Sequence, residues 1–169
     1  VGTVEFKNVS FKYPDADEYL LKDISFKANK GDTVAFIGST GSGKSTLLRC
    51  LNLLEKPDSG EIIFDGKNIL ENKTNQNHIR SRLVMVFQSF NLFNNMDVLT
   101  NCVIGQTKVL KRSKKEATEI ALRNLEKVGM SDRVHFKIRD ISGGQKQRLA
   151  IARAIARKPE ILIFDDSFS

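Results

Sequence analysis

The stretch GSTGSGKST, residues 38–46, constrains the possible folds of this chain more than any other part of its sequence. The spacing GxxxxGK[ST] requires a strand that leads into a glycine-rich loop, whose backbone N–H groups then surround an anion at the N-terminus of a helix. Both flanking elements are indicated, because an apolar run at 33–37 precedes the loop and KSTLLRCLNLL, which has helical spacing, follows it. The sequence therefore predicts a buried strand at 33–37, a phosphate-binding loop and a helix, within an α/β fold.

Each position of this loop has an expected role. Lys44 can reach the β and γ phosphates of a nucleotide, and the Ser45 hydroxyl can coordinate Mg²⁺. The alternative is a glycine-rich turn between a strand and a helix that binds nothing, which the presence of both flanking elements disfavours. The predicted nucleotide-binding residues of the loop are Gly38, Ser39, Thr40, Gly41, Ser42, Gly43, Lys44, Ser45 and Thr46.

A second apolar run, ILIF at 161–164, leads directly into two aspartates. A buried strand beside the phosphate-loop strand would place Asp165 at its carboxyl end, where open α/β sheets bind ligands and where a carboxylate can hold Mg²⁺. Asp166 starts from the opposite face of the strand but could turn, beyond the strand end, toward a water near the γ-phosphate as a general base. Taken alone, this pattern would as often be a strand that ends in a solvated turn; together with the loop it favours a metal site.

The stretch ISGGQ at 141–145 marks the start of another helix. Ser142 is a plausible N-cap, and Gly143 and Gly144 leave backbone amides uncovered, so that a second anion could bind at this helix end. A simple capped helix start explains the same residues equally well. If an anion does bind there, a nucleotide sandwiched between two copies of the chain would contact the loop at 38–46 of one copy and the helix start of the other.

The segment between these motifs is predicted to be a helical insert. The stretch SKKE at 113–116 fits a capping box, and a helix is expected to run from there to Gly129. Its apolar face is predicted to consist of Ala117, Ile120, Ala121, Leu125 and Val128. We therefore expect one domain over 1–169 that contains a helical subdomain at 91–140.

Composition excludes some classes of protein and leaves others open. No apolar run approaches the roughly 18–20 residues of a membrane span, and Cys50 and Cys102 have neither metal-ligand nor disulfide spacing, so a cytosolic chain with reduced thiols is expected. The net charge of +7 allows nucleic acid, anionic lipid or nucleotide as a partner. Much of the excess lies at 108–139, where base-stacking aromatics are nearly absent, which favours a solvated helix face over nucleic-acid binding.

The combination of GSTGSGKST, ISGGQKQR and ILIFDD, in this order, resembles the ATP-binding domain of ATP-binding cassette (ABC) transporters over essentially the whole chain. The resemblance implies a P-loop NTPase fold of ABC type, with a mixed sheet, an antiparallel N-terminal part and a helical subdomain, and it implies ATP and Mg²⁺ as cofactors. Tyr13 in FKYP is similar to the family's adenine-stacking aromatic, and Gln88 in VFQS to the glutamine that contacts Mg²⁺ and senses the transmembrane partner. The signature residues that contact the γ-phosphate across a head-to-tail dimer correspond to Ser142, Gly144 and Gln145. Without the resemblance, Tyr13 would be a routine turn aromatic and Gln88 a surface polar residue.

Two features depart from the family pattern. Asp166 stands where the family usually has glutamate, and its shorter side chain predicts slow hydrolysis because small misplacements of a catalytic group are costly. The family continues with further strands and a switch histidine, whose place neither His78 nor His135 occupies, and the chain begins at Val1. We therefore expect a fragment truncated at its C-terminus.

The resemblance leaves several functions open. Both ends of the chain look like exporters of the multidrug type, whereas the middle looks like ATPase subunits of polar amino-acid importers, and the partner-facing middle favours import. The expected partners are a transmembrane permease and a second ATP-binding domain, with no nucleic acid, at the cytoplasmic face of the membrane, either peripheral or fused to a membrane domain. The alternatives are an exporter ATPase, a soluble ABC ATPase that acts on DNA or ribosomes, and a truncated module that binds ATP with little turnover.

Overall fold

In a computed structural model, residues 2–71 and 76–165 are described, and the chain divides into two compact units, Val1–Arg80 and Ser81–Ser169. The strands are β1 (Val4–Phe11), β2 (Leu21–Ala28), β3 (Ser59–Phe64), β4 (Lys67–Asn68), β5 (Leu83–Val86) and β6 (Ile161–Phe164). The helices are α1 (Lys44–Leu51), α2 (Gln76–Arg82), α3 (Val98–Lys108), α4 (Lys114–Lys127) and α5 (Gly143–Ala156), with short 3-10 turns at Ser131–Arg133 and Ile138–Asp140.

The first unit is built on an antiparallel sheet with the strand order β2-β1-β3-β4. Alternating apolar residues of β1 point into its core, and the rings of Phe6 and Phe26 stack across β1 and β2 with their centroids 4.6 Å apart. A bulge in β1, centred on Asn8 with φ 50°, lies opposite Gly60 of β3. A Cβ at Gly60 would lie 2.5 Å from the Asn8 carbonyl oxygen, so only glycine fits there.

Helix α1 packs through one face and is capped at its C-terminal end. Its buried residues are Thr46, Leu47, Cys50 and Leu51, which are spaced three and four apart as an amphipathic helix requires. The guanidinium of Arg80 donates to the carbonyl oxygens of Asn52 at 3.3 Å and Leu53 at 2.7 Å. A cation at this end satisfies acceptors that the helix leaves open and complements its dipole.

The predicted strand at 33–37 is wrong. These residues form no strand, Val34 is 45% exposed and Ile37 is 96% exposed. No strand within residues 2–71 and 76–165 pairs with this run. An apolar run becomes a buried strand only where neighbouring strands pair with its backbone and helices or another sheet cover both of its faces. The ring of Phe36 meets that of Phe26 in β2 edge to face, with the centroids 5.1 Å apart.

The second unit contains a parallel strand pair, in which β5 and β6 are aligned from Leu83 opposite Ile161 to Val86 opposite Phe164. The prediction that β6 lies beside a phosphate-loop strand is therefore wrong, because 33–37 forms no strand and β6 pairs with β5. At the start of both strands, Arg82 and Glu160 form a bidentate ion pair with two N–O distances of 2.6 Å. This pair joins the two strands at the start of their aligned stretch.

Helices α3 and α4 begin at side-chain caps, as the sequence predicts for α4. The Ser113 hydroxyl accepts a hydrogen bond from the Glu116 N–H at 3.2 Å, and Asp97 accepts one from the Thr100 N–H at 2.7 Å. Burial raises the pKa of Asp97, but the hydrogen bonds from Thr100 and the charges of Lys137 and His135 together outweigh it, and the pKa lies below the usual value. Helix α4 ends before Gly129, whose φ of +68° is the left-handed conformation expected there.

The core of the second unit lies among α3, α4 and α5. Its buried members are Val98, Cys102, Ala121, Leu125, Met130, Ile138, Ile141, Leu149 and Ala152. Helices α4 and α5 have 14 residues each, and no helix in the described parts of the chain is both long and apolar enough to cross a membrane.

Both cysteines are buried thiols with low expected reactivity. Burial raises the pKa of Cys50 and of Cys102 from the usual 9.0 to about 12, and the charges of Glu55 and Asp58 add to the effect at Cys50. Because the thiolate is the nucleophile, we expect iodoacetamide at about pH 8 to alkylate the folded chain at least ~100-fold more slowly than the urea-unfolded chain. Since both folded-state pKa values are raised, the stability that these thiols contribute is full below pH 9.0 and is lost as the pH rises toward about 12. Equal labelling rates in the two states would contradict the burial of both thiols.

Candidate functional site

The loop at 38–46 surrounds the ammonium group of its own lysine. Lys44 Nζ donates to the carbonyl oxygens of Gly38 at 2.7 Å and Ser39 at 2.9 Å, with the Ser42 hydroxyl oxygen at 3.4 Å. A Cβ at Gly38 would lie 2.5 Å from that hydroxyl oxygen, so a side chain there would fill the loop. The loop thus curls around a single charged group through its carbonyl oxygens, and the predicted binding of a phosphate by its backbone N–H groups stays a prediction.

Glycines also set the path of the chain from this loop into α1. Gly41 has φ +82°, and Gly43, the residue before α1, has φ +91°. A Cβ at Gly43 would lie 2.9 Å from Leu21 Cδ2, and within 2–71 and 76–165 no side chain caps this end of the helix. The N-terminus of α1 therefore presents its positive dipole end to the loop without a competing side-chain acceptor.

Tyr13 lies beside the same helix. Its hydroxyl is 3.2 Å from the Thr46 hydroxyl oxygen, and its ring meets the ring of Phe11 edge to face with the centroids 4.9 Å apart. The side chain is 38% exposed. The structure therefore brings the aromatic residue that the family resemblance selects to the helix that begins at Lys44.

Ser142 caps α5 in a reciprocal pair with Gln145. The Ser142 N–H donates to Gln145 Oε1 at 2.8 Å, and the Gln145 N–H donates to Ser142 Oγ at 3.3 Å. This capping box uses one acceptor of each side chain, and neither the hydroxyl hydrogen of Ser142 nor the side-chain NH₂ of Gln145 takes part in it. Gly143 and Gly144 are exposed. The capped helix start is confirmed, and the anion-binding role of Ser142, Gly144 and Gln145 stays a prediction.

Gln88 and Asp165 follow the two parallel strands at the same edge. Asp165 comes directly after β6, is 6% exposed, and its backbone N–H donates to the Val86 carbonyl oxygen at 3.0 Å. Gln88 is exposed two residues after β5. Carboxyl ends of parallel strands are where α/β sheets bind ligands. Asp166 lies outside the described residues, so its predicted role as a base stays a prediction.

The predicted residues fall into two groups, one in each unit. Tyr13 and the loop at 38–46 belong to the first unit, whereas Gln88, Asp165 and the stretch 142–145 belong to the second. The sequence reasoning missed Arg153, which hydrogen-bonds two carbonyl oxygens 62 and 63 positions away along the chain. Its acceptors are backbone groups, so no residue type or spacing could have identified the contact.

Comparison with known proteins matches residues 21–169 to the family described as ABC transporter. The chain is 46% identical to the glutamine transport ATP-binding protein GlnQ of Geobacillus stearothermophilus, over 90% of the chain and 63% of that protein. It is also 46% identical to the histidine/lysine/arginine/ornithine transport ATP-binding protein HisP of Escherichia coli, over 89% of the chain and 63% of that protein. The chain thus spans a little under two thirds of the length of these relatives.

Among solved structures, the chain is similar to the dimeric ATP-binding cassette MJ0796 in a post-hydrolysis state bound to ADP and Pi. The TM-score is 0.89 and the sequence identity is 32%, over 98% of this chain and 74% of the other. The predicted fold class is confirmed.

Proposed function

This chain belongs to the ABC transporter family, and on that premise we propose that it binds Mg-ATP and, as part of an ABC ATPase, hydrolyses it to power transport across a membrane. The observation that carries the proposal is the loop at 38–46, which already curls around the Lys44 ammonium. A nucleotide phosphate is the natural partner of this arrangement, because it offers that ammonium stronger charged acceptors than two neutral carbonyls do.

Each of the predicted binding residues is assigned to a different part of Mg-ATP. Lys44 would bind the β and γ phosphates and Tyr13 would stack on the adenine, while Ser45, Asp165 and Gln88 would each serve as a ligand of Mg²⁺. The acceptor oxygens of Ser45, Asp165 and Gln88 suit this ion, which prefers hard oxygen ligands. Bound Mg²⁺ supplies neutralisation of the charge on the phosphates.

Hydrolysis is assigned to Asp166, with the stretch 142–145 of a second copy binding the γ-phosphate. Two features support a dimer: the similarity to a cassette whose structure is dimeric, and the capping box, which leaves the donors of Ser142 and Gln145 for an anion. The dimer is proposed to lie at the inner face of a membrane, where its partner is a transmembrane permease.

The proposed cargo is a polar amino acid. GlnQ and HisP are named for transport of glutamine and of histidine, lysine, arginine and ornithine, and both match about nine tenths of this chain. Neither is named for export, so the resemblance of the chain ends to exporters gains no support from them.

The proposal is tested by Mg-ATP binding and turnover of the purified chain, with Asp166→Glu as the variant. We expect Asp166→Glu to raise turnover about 10-fold or more, because the longer side chain brings the base one methylene nearer to the attacking water, while ATP affinity stays the same. Binding is followed by equilibrium titration and turnover by phosphate release.

Each outcome of this test has a defined meaning. Tight ATP binding with turnover that Asp166→Glu does not change would remove the assignment of the base and leave an ATP-binding module. No binding of ATP to the parent chain would refute the proposed function itself.

A further inference from the structure

The turn that carries Gln88 is held by a side chain of α5. Arg153 Nη2 donates to the Phe90 carbonyl oxygen at 2.7 Å, and Nη1 donates to the Asn91 carbonyl oxygen at 2.8 Å. Its Cζ lies 6.0 Å from the centroid of the Phe93 ring. Burial lowers the pKa of Arg153, as expected for a guanidinium that is withdrawn from water.

The turn has a conformation that needs such support. The Phe90 N–H donates to the Phe87 carbonyl oxygen at 2.9 Å, and the Asn91 N–H donates to the Ser89 carbonyl oxygen at 2.7 Å. Phe90 and Asn91 are both left-handed, with φ values of 60° and 45°. This conformation costs a residue with a Cβ roughly 1–2 kcal/mol, and two in succession persist only where the surroundings hold them.

The side chain of Phe90 provides a second attachment to the same helix. It packs against a buried cluster that includes Ala150 and Ala154 of α5. These two residues are four apart and share one face of the helix, and Arg153 lies between them in sequence. Helix α5 therefore holds the turn both through its apolar face and through the guanidinium of Arg153.

We propose that Arg153 is a positioning residue that ties the Gln88 turn to α5, so that Gln88 and the stretch 142–145 at the start of that helix change position together. The functional part rests on the proposed function, in which Gln88 contacts Mg²⁺ and 142–145 contacts the γ-phosphate of a nucleotide. Coupling between two binding sites is reciprocal. A ligand bound beside Gln88 therefore changes the affinity of 142–145 for phosphate by the same factor as phosphate at 142–145 changes the affinity of the site beside Gln88.

The direct test is amide hydrogen exchange over 86–92 in the chain without nucleotide. Arg153→Met removes the two hydrogen bonds but keeps a long apolar stem, and we expect exchange in this turn to become about 10-fold faster or more. The matched control is Arg157→Met, which removes a partly buried guanidinium one turn further along, whose Nε has no hydrogen-bond partner among the residues that the structure describes. We expect this control to leave exchange in the turn unchanged.

Exchange in the rest of α5 separates the proposal from a general loss of stability. Faster exchange confined to 86–92 supports the proposal, whereas an unchanged turn, or equal acceleration in both variants or throughout α5, overturns it. Arg153→Lys covers the case in which Arg153→Met does not fold. This variant keeps the charge but loses the planar guanidinium that donates to two carbonyl oxygens at once. It should accelerate exchange in the turn less than Arg153→Met does.

A second readout tests the role of Gln88. ATP affinity is measured by titration with and without Mg²⁺, and the ratio of the two affinities gives the contribution of Mg²⁺. We expect Arg153→Met to lose the same share of this contribution as Gln88→Ala. Arg153→Lys should lose a smaller share. Full retention of that part in Arg153→Met overturns the positioning role. If the parent chain binds no ATP, the proposed function fails, while hydrogen exchange still decides whether Arg153 holds the turn.

Discussion

Replacing Lys44 with alanine is expected to weaken ATP binding about 100-fold or more, without loss of the fold. The ammonium lies at the centre of the loop, and charge-assisted hydrogen bonds to phosphate contribute about 1.5–3 kcal/mol each. In the nucleotide-free chain its partners are the carbonyl oxygens of Gly38 and Ser39, which can be hydrated when the side chain is removed because the loop is exposed. Equilibrium titration with ATP, together with the circular dichroism spectrum of each variant, measures both parts of the prediction.

The matched control is Lys67→Ala, because Lys67 is an exposed lysine of the same unit in β4. It removes one positive charge far from the loop in sequence and should change ATP affinity less than about 2-fold, since exposed charges are screened. Equal weakening by both substitutions would show that ATP is attracted by net charge alone, and it would remove Lys44 from the site.

The second large effect is expected on stability rather than on binding. Gly60→Ala should reduce the free energy of unfolding by roughly 2–4 kcal/mol, because the new Cβ would overlap backbone that cannot move away easily. It would lie 2.5 Å from the Asn8 carbonyl oxygen and 2.6 Å from that of Lys7, inside the β1 bulge, and φ is +91°. Urea unfolding followed by circular dichroism gives the loss directly.

Gly66→Ala separates the contact from the backbone conformation. Gly66 also has a positive φ, +76°, but no atom of the described part of the chain lies within 4 Å of its Cβ position. The loss there should be about 1 kcal/mol, which is the cost of the conformation alone. Equal losses at the two glycines would mean that the bulge yields to the added methyl group.

Local signals in the sequence predicted the helices well. Ser113, Gly129 and Ser142 mark where α4 begins, where it ends and where α5 begins, because caps act through hydrogen bonds and dihedral angles within a few residues. The loop at 38–46 was selected for the same reason, since its residue spacing reflects a local backbone path, and its binding of phosphate stays a prediction. Such features need no knowledge of distant parts of the chain.

Features that depend on distant partners were predicted poorly or not at all. The run at 33–37 has the composition of a buried strand, but a strand forms only where another strand pairs with it, and composition does not show whether one is present. Arg153 gave no signal because its partners are carbonyl groups. Tyr13 and Gln88 were selected by resemblance to a family, since their residue types alone predict only exposed side chains.

The ion pair between Arg82 and Glu160 has a consequence for the order of folding. It joins residues 78 positions apart, and β5 and β6 pair directly beside it. Closing so long a loop costs chain entropy before the strand contacts can offset that cost. Helices α3 and α4 lie within the loop, and their contacts join residues that are closer in sequence. We therefore expect the helices to become compact first and shorten the effective loop, so that the parallel pair is a late product of folding whose rate depends on how well α3 and α4 have already packed.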